Sequence, residues 1–479
     1  MKQATQFYIN GEWVDPVEPK QIDVINPATE EPVATISMAS KADVDKAVAA
    51  AKAAFESFSQ TTHEERVALL EKLVGAYQAK YAEMAEAITL EMGAPKALSE
   101  KAQAGTGLGH ITTALEILKT YEFEEDLGTS RVFKEPIGVC GFITPWNWPI
   151  NQIMCKVAPA LATGCTIVLK PSQVAPLDAY VLAEMIDAAG YPPGVFNLVN
   201  GAGTAVGEWL STHEDVDMIS LTGSTGAGAA VAKFAADTIK RVSLELGGKS
   251  ANIVLDDADL QKAVKVGVIG CMNNTGQSCN APTRMLVPAD KHDEIVEMAK
   301  AVCESLKVGA PDAPDTVIGP QANSRQWGTV QKLIQQAIDD GNELVCGGVG
   351  KPDGLDVGFY TKPTIFANVK NSDMIAQEEV FGPVLVIIPY QDEEEAIKIA
   401  NDSIYGLSGY VQSGDVDRAR KVASRMRTGM VHLNGAPGDL KAPFGGYRQS
   451  GNGREWGAHG FDEFLELKAV MGYTPRSQI

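Results

Sequence analysis

Histidine is scarce in this chain, with six among 479 residues and none near Cys279, the one cysteine set in a polar stretch. The order of residues therefore gives no support for a Cys–His protease dyad. No Cys-x-x-Cys pair occurs and the seven cysteines are an odd number. That points away from a disulfide framework and from a metal site, and it makes a reducing compartment, the cytoplasm by default, the expected location. Basic charge is outnumbered, 41 Lys and Arg against 61 Asp and Glu, for a net charge of −20. Such a balance argues against nucleic acid and against an anionic membrane surface as partners. No apolar run approaches the ~18 residues of a membrane span, and "MKQATQFYINGEWV" lacks the apolar centre of a secretory signal. Also missing is any G-x-G-x-x-G, the ordinary dinucleotide fingerprint.

What is present is long and well mixed. A chain of 479 residues exceeds one core, so two or three domains are expected. Hydrophobic residues at 45% and charged residues at 21% fit a soluble globular protein. Ser40 with Asp43, and Thr62 with Glu65, stand in capping-box spacing and predict two helix starts, the second helix closing at Gly93 and Pro95. Val44, Ala47, Val48, Ala51 and Phe55 share one face of the first helix. From residue 139 buried strands alternate with helices, "VCGFI", "CTIVLK", "VFNLVN" and "MISLTG" being the strands. Alternation at this spacing predicts parallel βαβ units. Ligands bind such sheets beyond the carboxyl ends of the strands, so "TPWNWP", "KPSQ" and "TGSTGAG" are expected to meet at one crevice. A second alternating region runs from about 252 to about 440, and the tail "FLELKAVMGYTP" reads as a strand in need of a partner. No low-complexity linker separates these regions, which predicts interleaved, tightly packed domains.

Several stretches carry chemistry, each with a plainer alternative. "TGSTGAG" opens a helix whose free N–H groups suit phosphate, or it is a turn that needs glycine for geometry alone. Lys170 at a strand end could hold ribose hydroxyls or phosphate, or be a solvated lysine. Glu245, flanked by leucines in "LELGGKS", is a general base for water or a hydrogen-bonded structural glutamate. Asn147, between two tryptophans, is an oxyanion donor or part of a rigid aromatic turn. Cys279, in "NNTGQSCNAP", is the candidate nucleophile, and its thiol, near pKa ~8.5 when free, needs a positive environment or a base to react. Glu245 is the better partner to test.

Taken together these stretches resemble the aldehyde dehydrogenase superfamily, from about Phe7 to about Lys468. "INPATEEPVA", "TPWNWP", "KPSQVAP", "LTGSTGAG", "LELGGKS", "GQSC", "EEVFGPV" and "PFGGYRQSGNGRE" follow one another in family order and spacing. The resemblance implies a parallel Rossmann-like dinucleotide-binding domain (1–117 and 137–247), an interleaved α/β catalytic domain (248–460) and a small β oligomerisation arm (118–136 and 461–479). It assigns Cys279 as nucleophile, Glu245 as general base, Asn147 as oxyanion donor beside the Cys279 backbone N–H, and Lys156 and Glu455 to the site lining and proton relay. Cofactor contacts are implied for Ile143, Thr144, Pro145, Trp146, Lys170, Ser172, Gln173, Gly203, Gly223, Ser224, Leu246, Gly247, Glu379 and Phe381. Among these, Lys170 and Glu379 resemble the residues that hold the two riboses, Ser224 would lie near the pyrophosphate and Phe381 near the nicotinamide.

The implied reaction is oxidation of an aldehyde to a carboxylic acid with NAD(P)+. Gln173 stands where many NAD-preferring members have a glutamate, so NADP+ use is expected. CoA-acylating relatives usually lack the glutamate base, and a catalytically inactive structural relative would have lost nucleophile, base or oxyanion donor, so both rank behind the hydrolytic enzyme. Asn151, Gln152, Met154 and Cys155 are expected to line the substrate tunnel, the loop "GAPGDLK" (435–441) offers no aromatic there, and Arg284 is a candidate for a substrate carboxylate. A homodimer or homotetramer is expected.

Overall fold

The computed structural model describes residues 2–474. The last five residues of the expected arm, 475–479, and residue 1 lie outside that range. The fold is α/β, as expected, and is built on two large sheets.

The first sheet has eight strands. Its centre is Val139–Ile143, with Thr166–Lys170 and Phe196–Leu198 on one side and Met218–Thr222 and Arg241–Glu245 on the other, all parallel. After Phe196–Leu198 the chain crosses back over the centre, so strand order reverses beside Val139–Ile143. The reversal leaves a gap at the carboxyl ends of Val139–Ile143 and Met218–Thr222, where flanking loops diverge. These strands are buried along their whole length, as a sheet covered by helices on both faces requires. Antiparallel pieces from elsewhere finish its edges, Phe7–Ile9 with Glu12–Val14 at one and Gly451–Asn452 at the other.

The second sheet has seven strands in the order Glu343–Cys346, Thr364–Ala367, Val384–Tyr390, Arg284–Pro288, Ala251–Val254, Ser408–Gln412 and Met430–Leu433. All neighbours are parallel except the first pair. The tail strand Leu465–Val470 finds its partner far upstream. It pairs antiparallel with Ser130–Pro136, which in turn pairs with Glu124–Leu127.

Both expected capping boxes form, with Ser40 and Asp43, and Thr62 and Glu65, each closing the reciprocal pair of hydrogen bonds. The second helix differs from the expectation. It breaks at Lys80 into His63–Ala79 and Tyr81–Met92, because Lys80 leaves helical geometry, before Gly93 in the left-handed region ends the run. Pro149–Thr163 is the helix that matters most for the site. Proline at its first position suits a helix start. Pro159 inside it removes a backbone donor, a loss of about 3 kcal/mol in an exposed helix, but all fifteen residues are buried and packing holds the helix.

Candidate active site

A cavity of about 270 Å³ lies where the carboxyl ends of the first sheet face the amino ends of the second. Pro145, Trp146 and Asn147 follow the strand Val139–Ile143, and Thr222, Gly223 and Ser224 follow Met218–Thr222. Leu246 and Gly247 follow Arg241–Glu245 on the way to Ala251–Val254. From the second sheet come Cys279, ahead of Arg284–Pro288, and Glu379, Val380 and Phe381, ahead of Val384–Tyr390. Residues spread over more than 230 positions thus share one wall because two sheets oppose their strand ends.

The nucleophile loop is held in an unusual shape. Asn274, Thr275 and Gly276 all adopt positive φ, of 52°, 58° and 69°. Left-handed geometry at a β-branched residue is strained, at roughly 1–3 kcal/mol. Props from distant segments hold it. Thr275 Oγ1 donates to Gly319 O at 3.1 Å, Gln321 Nε2 donates to Thr275 O at 3.2 Å, and Gln103 Nε2 donates to Asn274 Oδ1 at 2.9 Å. Asn147 reaches the same loop, its Nδ2 donating to Gln277 O at 3.0 Å. One of its two amide hydrogens is thereby engaged, and the other remains to be offered. Trp148 Nε1 donates to Ser278 Oγ at 2.8 Å. Gly248 closes against the back of the loop, where a Cβ would overlap the Cys279 carbonyl.

The electrostatics differ from the expected activation of Cys279. No cation lowers its thiol. Burial, and then the carboxylates of Glu379 and Glu245, push it well above the usual range. Glu245 is also raised well above the carboxylate range, first by burial and then by the charge of Glu455, and neither of its oxygens has a hydrogen-bond partner. The site therefore holds a thiol pushed toward its neutral form near a carboxyl that no other group engages. Lys156 is fully buried and pairs with Glu455, while its Nζ donates to Thr222 Oγ1 at 2.8 Å. Cys155 Sγ donates to the other Glu455 oxygen at 3.1 Å. Glu455 thus has both oxygens occupied and Glu245 has neither.

On the cavity wall Trp146 and Phe381 meet edge to face, centroids 5.5 Å apart. Glu379 Oε1 accepts from Gly248 N at 2.9 Å, and burial raises its carboxyl to about 7. A Cβ on Gly247 would press on the Glu379 carboxylate and force it to shift. Ser224 caps the helix Thr225–Ala235, its Oγ accepting from Ala227 N at 3.2 Å. Ile143 and Thr144 are buried at the strand end, and Thr144 Oγ1 has no partner. Lys170 ends its strand buried, with no side-chain partner among the described residues, and burial lowers its ammonium to about 8.

The "KPSQ" turn does not line this cavity. Ser172 is buried with its Oγ accepting from Val174 N, whereas Gln173 is exposed. Gly203 is exposed and likewise apart from the wall. Arg284 is not available to a substrate. Its guanidinium is buried and donates to the carbonyls of Lys249, Ile399 and Ala400 and to Asn371 Oδ1. Thr222, Gln326, Thr329 and Val380 line the cavity without having been singled out. Gln326 Nε2 donates to Phe381 O at 3.0 Å and so steadies the Phe381 segment. Its helix, Ser324–Asp339, carries an ordinary capped sequence with nothing to mark that role. A second cavity of about 220 Å³, lined by Trp148, Asn273, Asn280 and Ala436 among others, borders both neighbours of Cys279, Ser278 and Asn280. Among the described residues no group of three or more His, Cys, Asp or Glu is placed to hold a metal ion, and no helix is long and apolar enough to cross a membrane.

Comparison with known proteins covers nearly the whole chain. The model of the aldehyde dehydrogenase family matches residues 13–470. A 3-succinoylsemialdehyde-pyridine dehydrogenase of a Pseudomonas species is 59% identical over 474 residues, 99% of each chain. Among solved structures, a variant of aldehyde dehydrogenase C from Pseudomonas syringae, complexed with NAD+ and octanal, is 50% identical with a TM-score of 0.98, covering 98% of this chain and 97% of its own. An aldehyde dehydrogenase of Mycobacterium tuberculosis complexed with NAD+ is 41% identical with a TM-score of 0.96, covering 99% of each chain. The fold is thus shared along nearly the whole chain, and the chain belongs to the aldehyde dehydrogenase family.

Proposed function

We propose that the protein oxidises an aldehyde to a carboxylic acid through a covalent intermediate on Cys279, with NAD(P)+ as hydride acceptor. The observation that carries this reading is the placement of Cys279 and Asn147 on one cavity wall with the unpartnered Glu245 close enough to influence the thiol. The groups on and beside the cavity suit a dinucleotide, Lys170 standing at the strand end next to Ile143 rather than on the cavity wall. Lys170 is a buried cation without a partner, suited to a ribose or a phosphate, and Glu379 presents a carboxylate where the Gly247 backbone can approach. The Trp146–Phe381 ring pair offers an aromatic wall. When bound, oxidised nicotinamide accepts a hydride and brings positive charge into the pocket.

Cys279 gives its proton to the carboxylate form of Glu245 and its Sγ adds to the aldehyde carbon, giving a tetrahedral thiohemiacetal anion. Asn147 Nδ2 and the Cys279 N–H stabilise its oxyanion, one such donor being worth about 3 kcal/mol. Loss of hydride from that carbon leaves a thioester on Cys279. Glu245, once deprotonated, takes a proton from water, whose oxygen attacks the thioester. The carboxylic acid departs and the thiol is restored. The presence of Glu245 favours water over CoA as the acceptor.

NADP+ use belongs to the same proposal. A glutamate at 173 would set a carboxylate against the 2′-phosphate, and two like charges ~4 Å apart cost roughly 4 kcal/mol at an effective dielectric of 20. Gln173 is neutral and exposed, so it imposes no such barrier, and Lys170 and Ser172 are the candidate phosphate partners. The expected result is a Gln173→Glu variant whose KM rises far more for NADP+ than for NAD+. A hundredfold preference of the unmodified enzyme for NAD+ in kcat/KM would count against the charge argument.

We further propose that the arm Glu124–Leu127, Ser130–Pro136 and Leu465–Val470 mediates assembly into a dimer or a dimer of dimers. Leu467 is 71% exposed on a small sheet with open edges, and Met471, just past the strand, is 77% exposed. Light scattering at micromolar concentration should give at least twice the chain mass, and a monomer would contradict the proposal.

A further inference from the structure

The strand Ser408–Gln412 lies beside Ala251–Val254 in the second sheet and turns every other side chain, Ser408, Tyr410 and Gln412, to one face. On that face Tyr410 meets His432 of the edge strand Met430–Leu433, its partner in register, with ring centroids 4.9 Å apart and planes 13° from parallel. His432 Nδ1 lies 3.0 Å from Ala436 O, which anchors the second ring in the loop after its strand. From this platform the Tyr410 hydroxyl donates to Asn280 O at 2.7 Å. Burial raises that phenol to about 12, so it keeps its proton and remains a donor. Cys279 and Asn280 are the two central residues of a turn that Ala281 N closes on Ser278 O at 3.1 Å. The turn is held at both flanks, at Ser278 Oγ by the Trp148 indole and at Asn280 O by Tyr410. Burial and the carboxylates of Glu379 and Glu245 push the Cys279 thiol up, whereas two backbone N–H groups, its own and that of Asn280, pull it down. The aim of those N–H groups therefore governs how readily the sulfur ionises. Tyr410 lines the second cavity and is absent from the wall of the first, so its hold on the reaction runs through Asn280.

Resting on the proposed role of Cys279, we propose that Tyr410 is a positioning residue for the nucleophile, its hydroxyl holding Asn280 so that the Asn280 N–H stays directed at the Cys279 sulfur. The peptide joining Cys279 to Asn280 carries that N–H. Its oxygen packs so close to Gly248 that a Cβ there would overlap it, and the next carbonyl is the one Tyr410 pins. With both neighbours held, the peptide keeps its N–H on the sulfur. Without the hydroxyl the Asn280 carbonyl loses its donor and turns toward another, and the N–H turns with it. His432 acts one step further back, fixing the plane of the Tyr410 ring.

Tyr410→Phe removes the hydroxyl and keeps the stacked ring, and two rates read the result. Alkylation by iodoacetamide, resolved by mass for each cysteine peptide, reports the Cys279 sulfur in the resting protein. Single-turnover oxidation of hexanal, with enzyme in excess and NAD+ saturating, reports sulfur attack and hydride transfer free of thioester hydrolysis. Both rates are expected to fall about tenfold, the weight of one buried hydrogen bond, while the KM for NAD+ stays within about twofold. Alkylation of the other six cysteines should not change. A merely structural role gives the opposite sign, because a loosened fold exposes thiols and speeds their alkylation. His432→Ala should lower both rates by a smaller factor, and it carries the test should Tyr410→Phe be insoluble. Rates within about twofold of the unmodified enzyme, or faster alkylation of Cys279, overturn the positioning role and leave aldehyde oxidation standing. If the unmodified enzyme still oxidises hexanal after Cys279 is fully alkylated, the nucleophile reading falls instead.

Discussion

Cys279→Ala is expected to abolish steady-state aldehyde oxidation, by at least about four orders of magnitude. The chain has seven cysteines, all free, and five of them are buried. Only Cys279 lines the cavity that also holds Asn147 and Glu379. Cys155 is near, but its thiol is committed to Glu455 and pushed up by burial. Cys346, on the edge strand Glu343–Cys346, serves as the control, and Cys346→Ser should keep full turnover. The assay is appearance of reduced cofactor with a saturating aldehyde. Full steady-state activity in the Cys279 variant would sink the covalent mechanism, whatever the substrate.

Glu245→Gln should slow turnover about 10²–10⁴-fold, the usual weight of a positioned general base. It should also leave a burst of reduced cofactor of about one equivalent per site, because acylation precedes the water step. Rapid mixing separates the two phases. The sign of the pH dependence follows from the raised Glu245 carboxyl. Below its pKa in the folded protein the group carries a proton and cannot take one from water. Hydrolysis of the thioester therefore accelerates as pH rises through that pKa, and the variant lacks this rise. A burst missing from the variant, together with an unchanged steady-state rate, would remove Glu245 from the water step.

Much of the fold was legible because its signals are local. Capping boxes at Ser40 and Thr62, buried strands such as "VCGFI" and the alternation after residue 139 each follow from short-range geometry, and the structure contains them. The break at Lys80 was not legible, since nothing in "YQAKYAEM" forbids helix. The site was legible only where a loop sequence is peculiar in itself. "TPWNWP" and "GQSC" announce their loops, and both reach the cavity. Gln326 and Thr329 had no such signal, because what makes them notable is what lies opposite them in space. Arg284 misled for the same reason, five residues from Cys279 in the chain but committed to carbonyls in the interior. The state of the Cys279 thiol was the largest surprise, since burial and two carboxylates cannot be read from its neighbours in sequence.

The left-handed run Asn274–Gly276 has a consequence for how this chemistry can be inherited or engineered. A loop that stays in shape only while Gln103, Gly319 and Gln321 hold it is no portable cassette. Grafted onto another scaffold, "NNTGQSC" would relax to ordinary backbone angles and carry the sulfur away from its target. Its three anchors must travel with it, and they come from the far side of the chain. Loss of activity by mutation should therefore be as common at Gln321 as beside the thiol, and a search for damaging variants confined to the neighbourhood of Cys279 in sequence would overlook it.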